Sequence, residues 1–142
     1  MTTTSAVSKE NVEVGLELPP LHFDVSLTTL AKDVAGTRDI YEIHHNSEFA
    51  KANGARDMFL NTMWYQGLLG RYLTDWAGSN SFVRKIGFDM RGTNCPGDHL
   101  VVRGKVTGVR SEDARTLVDL DVSIDNQLQK DTVVARVTVE LG

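Results

Sequence analysis

The segment Thr37-Arg38-Asp39-Ile40-Tyr41-Glu42-Ile43-His44-His45-Asn46 holds a carboxylate, Asp39, and an imidazole, His44, five residues apart in a polar stretch. A carboxylate and a neutral imidazole that converge can hold one water between them and carry its proton. A structural reading competes. Asp39 with Glu42 also matches a helix capping box in which Asp replaces Ser or Thr. His44 would then be a polar residue at the end of an element. Spacing alone leaves both readings open.

A second place is Leu60-Asn61-Thr62-Met63, where a long helix begins. Free backbone N–H groups at a helix start can receive a developing oxyanion, assisted by the helix dipole. Every helix has such an end, so Asn61 and Thr62 equally fit local backbone capping. Other chemistries find less support. Of the four histidines (His22, His44, His45 and His99), the adjacent pair would point apart in extended chain, which argues against a zinc site. The phosphate-loop patterns GxGxxG and GxxxxGK[ST] do not occur, nor does the GxSxG nucleophile elbow. Cys95, the single cysteine, precedes Pro96 in a turn. With no histidine in a recognisable partner motif, it reads as a structural or exposed thiol.

The elements that must position these groups follow from periodicity. From Phe59 to Ala77, apolar residues fall at 59, 60, 63, 64, 68, 69, 72, 73 and 76. This spacing predicts a mostly buried helix with a wide apolar arc, stopped by Gly78. Gly67 and Gly70 each cost about 1 kcal/mol of helix propensity. Their expected return is the close approach of another backbone. Leu21–Val25 reads as a strand, and 26–53 as short helices and irregular chain. Asn46 or Ser47 is placed to cap a helix over 48–53, with Gly54 ending it. After Gly78 the pattern turns to strands over 82–91, 99–109, 116–124 and 131–141, with Pro96-Gly97-Asp98 as a turn. One strand, a buried helix and four strands without a βαβ rhythm predict an α+β fold, an antiparallel sheet wrapped on a central helix.

Composition narrows the partners. A chain of 142 residues, 41% hydrophobic and 24% charged, fits one ordinary globular domain with a core of its own. Residues 1–10 are Thr- and Ser-rich without periodicity and are expected to form a disordered tail ahead of a single domain over 11–142. One cysteine cannot form an internal disulfide, which favours a reducing compartment. No apolar run approaches the roughly 20 residues needed to span a bilayer, and the polar N-terminus lacks a signal-peptide core. A cytoplasmic location without membrane contact is therefore expected. A net charge of −4 with no Lys/Arg stripe argues against nucleic acid.

Three features together resemble the MaoC-like, (R)-specific enoyl-CoA hydratases. The first is Asp39, then four residues, His44, five residues and the small Ala50. The second is the step Asn61-Thr62-Met63 into the long helix. The third is the turn Pro96-Gly97-Asp98-His99-Leu100 that leads into a strand. Their order and spacing agree over about residues 21–141. Arg38-Asp39, His44-His45, Arg71-Tyr72-Leu73-Thr74-Asp75-Trp76-Ala77-Gly78 and Ile86-Gly87 are similar to the small subunits of actinobacterial hydratases that act on steroid side-chain CoA thioesters. Two departures touch the site. Tyr41 and Glu42 replace the Asn and Pro of Asp-x-Asn-Pro-x-His, and Asn61-Thr62 replaces a His-Gly. A differently shaped acyl pocket or a lost activity would each produce them.

The resemblance implies a hot-dog fold and reversible hydration of a 2-enoyl-CoA thioester, with CoA carried on the substrate and no separate cofactor. Asp39 and His44 would hold the water, and one of them would take its proton. A backbone N–H near Thr62 would meet the thioester oxygen, with Asn61 orienting the site. The CoA phosphates need cations, for which Arg84, Lys85 and Arg91 are candidates. The implied assembly is a homodimer, or a heteromer with a second hot-dog subunit that lacks the catalytic pair. Two rivals remain: a hot-dog acyl-CoA thioesterase, and a non-catalytic acyl-CoA-binding or scaffold subunit.

Overall fold

A computed structural model describes residues 7–142. Residues 1–6 of the expected tail lie outside them. Ser8 to Val12 close a turn, in which the Asn11 and Val12 N–H groups donate to the Ser8 carbonyl, and Val7 packs against the core. Beyond it, Gly15 to Leu18 run along one strand, with Leu18 N–H donating to the Gly104 carbonyl.

Strand β1 (Leu21–Asp24) leads to Ser26, which opens α1 (Leu27–Thr37) by a reciprocal cap. The Ser26 Oγ accepts the Thr29 N–H, and the Ser26 N–H donates to Thr29 Oγ1. This satisfies two otherwise orphaned groups at the helix start. A single 3₁₀ turn, Glu42–His44, follows, and then α2 (Ser47–Ala52), capped by Asn46 as one of the two expected caps.

The long helix α3 spans Thr62–Ala77, three residues shorter at its N-terminus than the apolar periodicity suggests. Leu60 and Asn61 are drawn out of it. Their N–H groups donate to the Asn94 carbonyl and to Asp33 Oδ2. Tyr65, Leu68, Leu69, Tyr72, Leu73 and Ala77 are the buried face of α3. Each such large side chain contributes about 1.5–3 kcal/mol on burial. Gly67 and Gly70 correct an expectation: among the described residues, nothing beyond the neighbouring residues and backbone of α3 itself comes within 4 Å of where a Cβ would stand on either.

Four strands complete the sheet: β2 (Phe82–Met90), β3 (His99–Glu112), β4 (Arg115–Asp125) and β5 (Val133–Leu141). The order is β1-β3-β4-β5-β2, antiparallel throughout. Leu120, Val122 and Ile124 on β4 and Val133, Ala135, Val137 and Val139 on β5 join the α3 residues in one core. The imperfect alternation of 82–91 has a physical cause, a bulge between Val83 and Lys85 that puts Arg84 out of register. Strands β3 and β4 run past the expected ends because the hairpin is tight. Its two turn residues, Asp113 and Ala114, both take positive φ, at 48° and 62°. An antiparallel sheet packed on one long helix is the expected α+β, hot-dog arrangement.

Candidate active site

The chain between α1 and α3 brings Asp39 and His44 together. Arg38 ends α1 in the left-handed region, with φ 57°, and turns the backbone into Asp39. For a non-glycine residue that conformation costs about 1–2 kcal/mol. The 3₁₀ turn then carries His44 back, so that its Nε2 stands 3.3 Å from Asp39 Oδ2. The imidazole is buried and the carboxylate is 28% exposed, so water can reach the pair through Asp39.

The capping-box alternative is not realised. Residue Tyr41, not Asp39, precedes the 3₁₀ turn, and no side chain caps it. Glu42 Oε2 instead accepts the Asn46 side-chain N–H at 3.0 Å. Asp39 Oδ1 receives only a long contact from the Tyr41 N–H, at 3.4 Å.

His44 Nδ1 lies 2.7 Å from the Phe59 carbonyl oxygen. A carbonyl only accepts, so Nδ1 carries a proton, and in the neutral ring Nε2 is then the basic nitrogen. Tyr41 and Phe59 meet that ring edge-on, with centroids 6.3 and 5.3 Å away. Tyr41, one of the departures from the family pattern, thus serves as a wall of the imidazole site. The 3.3 Å separation is direct contact: a proton on Nε2 makes it a hydrogen bond to Asp39 Oδ2, and an unprotonated Nε2 leaves two acceptors side by side. A water molecule beside such a pair can donate to both. His45 points elsewhere and donates its Nε2–H to the Ile40 carbonyl at 3.0 Å.

The same bond ties the imidazole to the chain entering α3, because Phe59 lies three residues before Thr62. Asn61 is the N-cap, and its Oδ1 accepts the Trp64 N–H at 2.9 Å. Its amide nitrogen donates to Thr37 Oγ1 at 2.7 Å. Buried, with both its amide oxygen and its amide nitrogen hydrogen-bonded, Asn61 shapes the helix start. Thr62 is exposed, at the first position of α3. Among the described residues, no acceptor bonds to the N–H groups of Thr62 and Met63. These are the two donors that point out of the helix toward its positive end.

Sequence reasoning missed Asp33. It is a buried carboxylate on α1, whose Oδ2 accepts the Asn61 N–H at 3.0 Å and whose Oδ1 has no partner among the described residues. Burial pushes its pKa above the ordinary carboxylate value, and the neighbouring Asp39 pushes the same way, while the Asn61 N–H and His44 act against both. The available signal was the run Leu30, Asp33, Thr37, three positions on one helical face.

The three cationic candidates separate. Arg84 is engaged by Glu140, its Nε donating at 2.6 Å, and lies over the Phe82 ring. Lys85 and Arg91 line a groove of about 990 Å³ on the face of the sheet away from α3. Arg103, Lys105 and Arg136 share this groove with Glu17, Asp89, Asp121 and Asp131, so its charge is mixed. None of Asp39, His44, Asn61 or Thr62 lines it. Its size does not make it the reaction site, because it offers no paired base and donor of the kind found at the dyad. Cys95 is fully buried, and burial raises its thiol pKa, as befits a structural thiol. Among the described residues, no three His, Cys, Asp or Glu side chains gather closely enough to hold a metal ion, and no helix is long and apolar enough to cross a membrane.

No family model matches the chain. Among curated proteins, it is 34% identical to the 3-oxo-4,17-pregnadiene-20-carboxyl-CoA hydratase beta subunit of Mycobacterium tuberculosis. That match runs over 96 residues, 68% of this chain and 74% of the relative. Among solved structures, it superposes on the ChsH1–ChsH2 complex from Mycobacterium tuberculosis with a TM-score of 0.85 and 31% identity, covering 92% of this chain and 98% of the other. The (R)-hydratase from A. caviae involved in PHA biosynthesis gives a TM-score of 0.84 at 19% identity, covering 94% and 99%, a likeness of fold alone.

Proposed function

The chain belongs to the MaoC-like, (R)-specific hydratase family, and from that premise we propose that it adds water reversibly across the 2,3-double bond of an enoyl-CoA thioester, with Asp39 and His44 as its acid–base pair. The observation that carries the proposal is the locked imidazole. The Nδ1–H bond to Phe59 leaves Nε2 3.3 Å from Asp39 Oδ2, so that one water beside the pair can reach both atoms.

In this route the water donates one hydrogen toward each acceptor. Its oxygen bonds to the β-carbon as one O–H bond breaks, and the released proton passes to the pair. The π electrons move onto the thioester, whose oxygen takes up negative charge. The free N–H groups of Thr62 and Met63 are the donors for that oxygen. The proton then moves from the pair to the α-carbon, so water is added with no net gain or loss by the protein. The route uses protein groups alone, and CoA is part of the substrate.

A bulky acyl group of the steroid side-chain class is the substrate we favour. The support is the acid named in the relative's description, a pregnadiene carboxyl-CoA. The assembly we favour is a pair with a second hot-dog subunit, supported by the two-protein complex among the similar structures. Ile40, Tyr41 and Met63, beside the dyad and at the helix start, are large apolar side chains left exposed. Lys85 and Arg91 remain the proposed contacts for CoA phosphates, while Arg84 is already engaged by Glu140.

The test is an assay of the chain co-purified from its native host. Loss of the enoyl-thioester absorbance and release of free CoA are followed together. Hydration consumes the double bond and leaves the thioester intact. A thioesterase releases CoA with the double bond preserved. A scaffold subunit leaves the activity of the whole assembly unchanged when Asp39→Asn and His44→Ala are introduced.

A further inference from the structure

We infer that Asp33 is a positioning residue of this site: its buried carboxylate, together with Thr37, clamps the start of α3 against α1 so that the free N–H groups of Thr62 and Met63 hold their place relative to the Asp39–His44 pair. The inference rests on the hydratase reading for its catalytic meaning. It rests on geometry for the clamp itself.

Three bonds form the clamp. Asp33 Oδ2 accepts the Asn61 N–H at 3.0 Å. The Thr37 hydroxyl donates to the Asp33 carbonyl at 2.7 Å and accepts from the Asn61 side-chain nitrogen at 2.7 Å. Asn61 Oδ1 then caps α3 through the Trp64 N–H. The clamp therefore runs from α1 through Asn61 into the first turn of α3, and the residue that ends α1 leads directly into Asp39. Both halves of the proposed site are hung on one short helix.

Asp33 is an expensive choice for a mere tether. A buried carboxylate with one oxygen unpaired is disfavoured, because water would otherwise satisfy that oxygen. A neutral hydroxyl or amide could also accept the Asn61 N–H. What the carboxylate adds is a rigid, strongly accepting oxygen on a short side chain, which holds the donor at fixed range. A helix start that drifts by about 1 Å costs on the order of 10²-fold in rate when it carries a transition-state donor. The same drift barely affects a substrate held mainly through its CoA and acyl ends. The signature of the clamp is thus a fall in kcat with KM nearly constant.

The experiment compares Asp33→Ala, Asp33→Asn and Thr37→Val with wild type and Asp39→Asn in the assembled protein. Asp33→Ala is expected to lower kcat by about 10²-fold with KM within about threefold. Asp33→Asn keeps an acceptor for the Asn61 N–H and is expected to recover most of the loss. Thr37→Val removes the partner of the Asn61 amide and is expected to lower kcat several-fold by the same route. It decides the matter if Asp33→Ala fails to fold. Amide hydrogen exchange gives a readout independent of turnover: in the Thr37→Val and Asp33→Ala proteins the amides of Asn61 to Trp64 exchange faster, while those of Leu69 to Leu73 do not. Wild-type kcat in Thr37→Val, Asp33→Asn as poor as Asp33→Ala, or unchanged exchange at Asn61 to Trp64 would each overturn the clamp. An inactive wild type, or a fully active Asp39→Asn, would instead overturn the hydratase reading and leave the exchange result to judge the clamp.

Discussion

Asp39→Asn offers the sharpest test of the dyad, because the structure separates its chemical effect from its structural one. In the wild-type protein Nε2 of the neutral His44 ring and Oδ2 of Asp39 would be two acceptors 3.3 Å apart, close enough for one water beside them to donate to both. An asparagine amide at the same place is itself a donor. It closes directly onto Nε2 and takes the lone pair that the water needs. General acid–base catalysis is worth about 10²–10⁴-fold, or roughly 3–5 kcal/mol at 1.36 kcal/mol per factor of ten. We expect kcat/KM for hydration to fall by about 10³-fold, in the middle of that range. Stability should change by less than about 1 kcal/mol, because the side chain is partly exposed and the amide keeps a contact with Nε2. Among the described residues, the other hydrogen bond of the Asp39 carboxylate is the long one from Tyr41 N–H. His44→Ala removes the same catalytic pair, but strands the Phe59 carbonyl and costs about 1–3 kcal/mol more. The assay is steady-state hydration beside urea unfolding of the three variants, the double one included. Two groups that act on one water are non-additive, so the double variant should be no slower than the worse single one. Asp39→Asn within tenfold of wild type, or fully additive losses, would refute the shared-water geometry.

Three further outcomes follow from the fold. Asp33 titrates above its ordinary range in the folded chain, so its contribution to stability is present below the unfolded pKa and is lost as pH rises through the folded one. Asp33→Asn removes that dependence. Its melting temperature relative to wild type should therefore rise from pH 4 toward neutrality, and a constant difference would contradict the burial argument. Ala114→Gly should stabilise the β3–β4 hairpin by about 0.5–1 kcal/mol in urea unfolding, because Ala114 sits at φ 62° where glycine is unstrained. Gly104→Ala should destabilise by about 1–3 kcal/mol, since its Cβ would lie 3.1 Å from Tyr72 Cε1 and 3.2 Å from Leu18 Cδ2. A wild-type unfolding midpoint would show that Leu18 yields freely.

Much of this was legible in the residues. The apolar spacing of α3 and the alternation of β4 and β5 mark the core because those faces are buried. What sequence periodicity blurred was set by contacts made elsewhere. The helix begins at Thr62 and not at Phe59 because Asn94 and Asp33 take the Leu60 and Asn61 donors. The β3–β4 turn escaped notice because Asp113-Ala114 lacks the glycine that such turns favour. Asp33 escaped because a carboxylate in a helix ordinarily faces water, and only its partner 28 residues away reveals otherwise. The Asp39–His44 pair was visible as a spacing. Its tautomer was not, since that depends on a carbonyl 15 residues downstream. Gly67 and Gly70 were read as room for another backbone, and within this chain that room stands open.

Every residue assigned to the acid–base and oxyanion steps lies between Asp33 and Met63, on no strand of the sheet. The strands can therefore keep their core whatever stands at Asp39 and His44. After a gene duplication, one copy can lose its dyad and still fold, because its five strands and long helix keep their core. Such a copy is free to diverge toward shaping a pocket, while its sibling keeps the chemistry under selection. The short interval from Asp33 to Met63 is thus the place to look when asking which copy in such a lineage still turns over substrate.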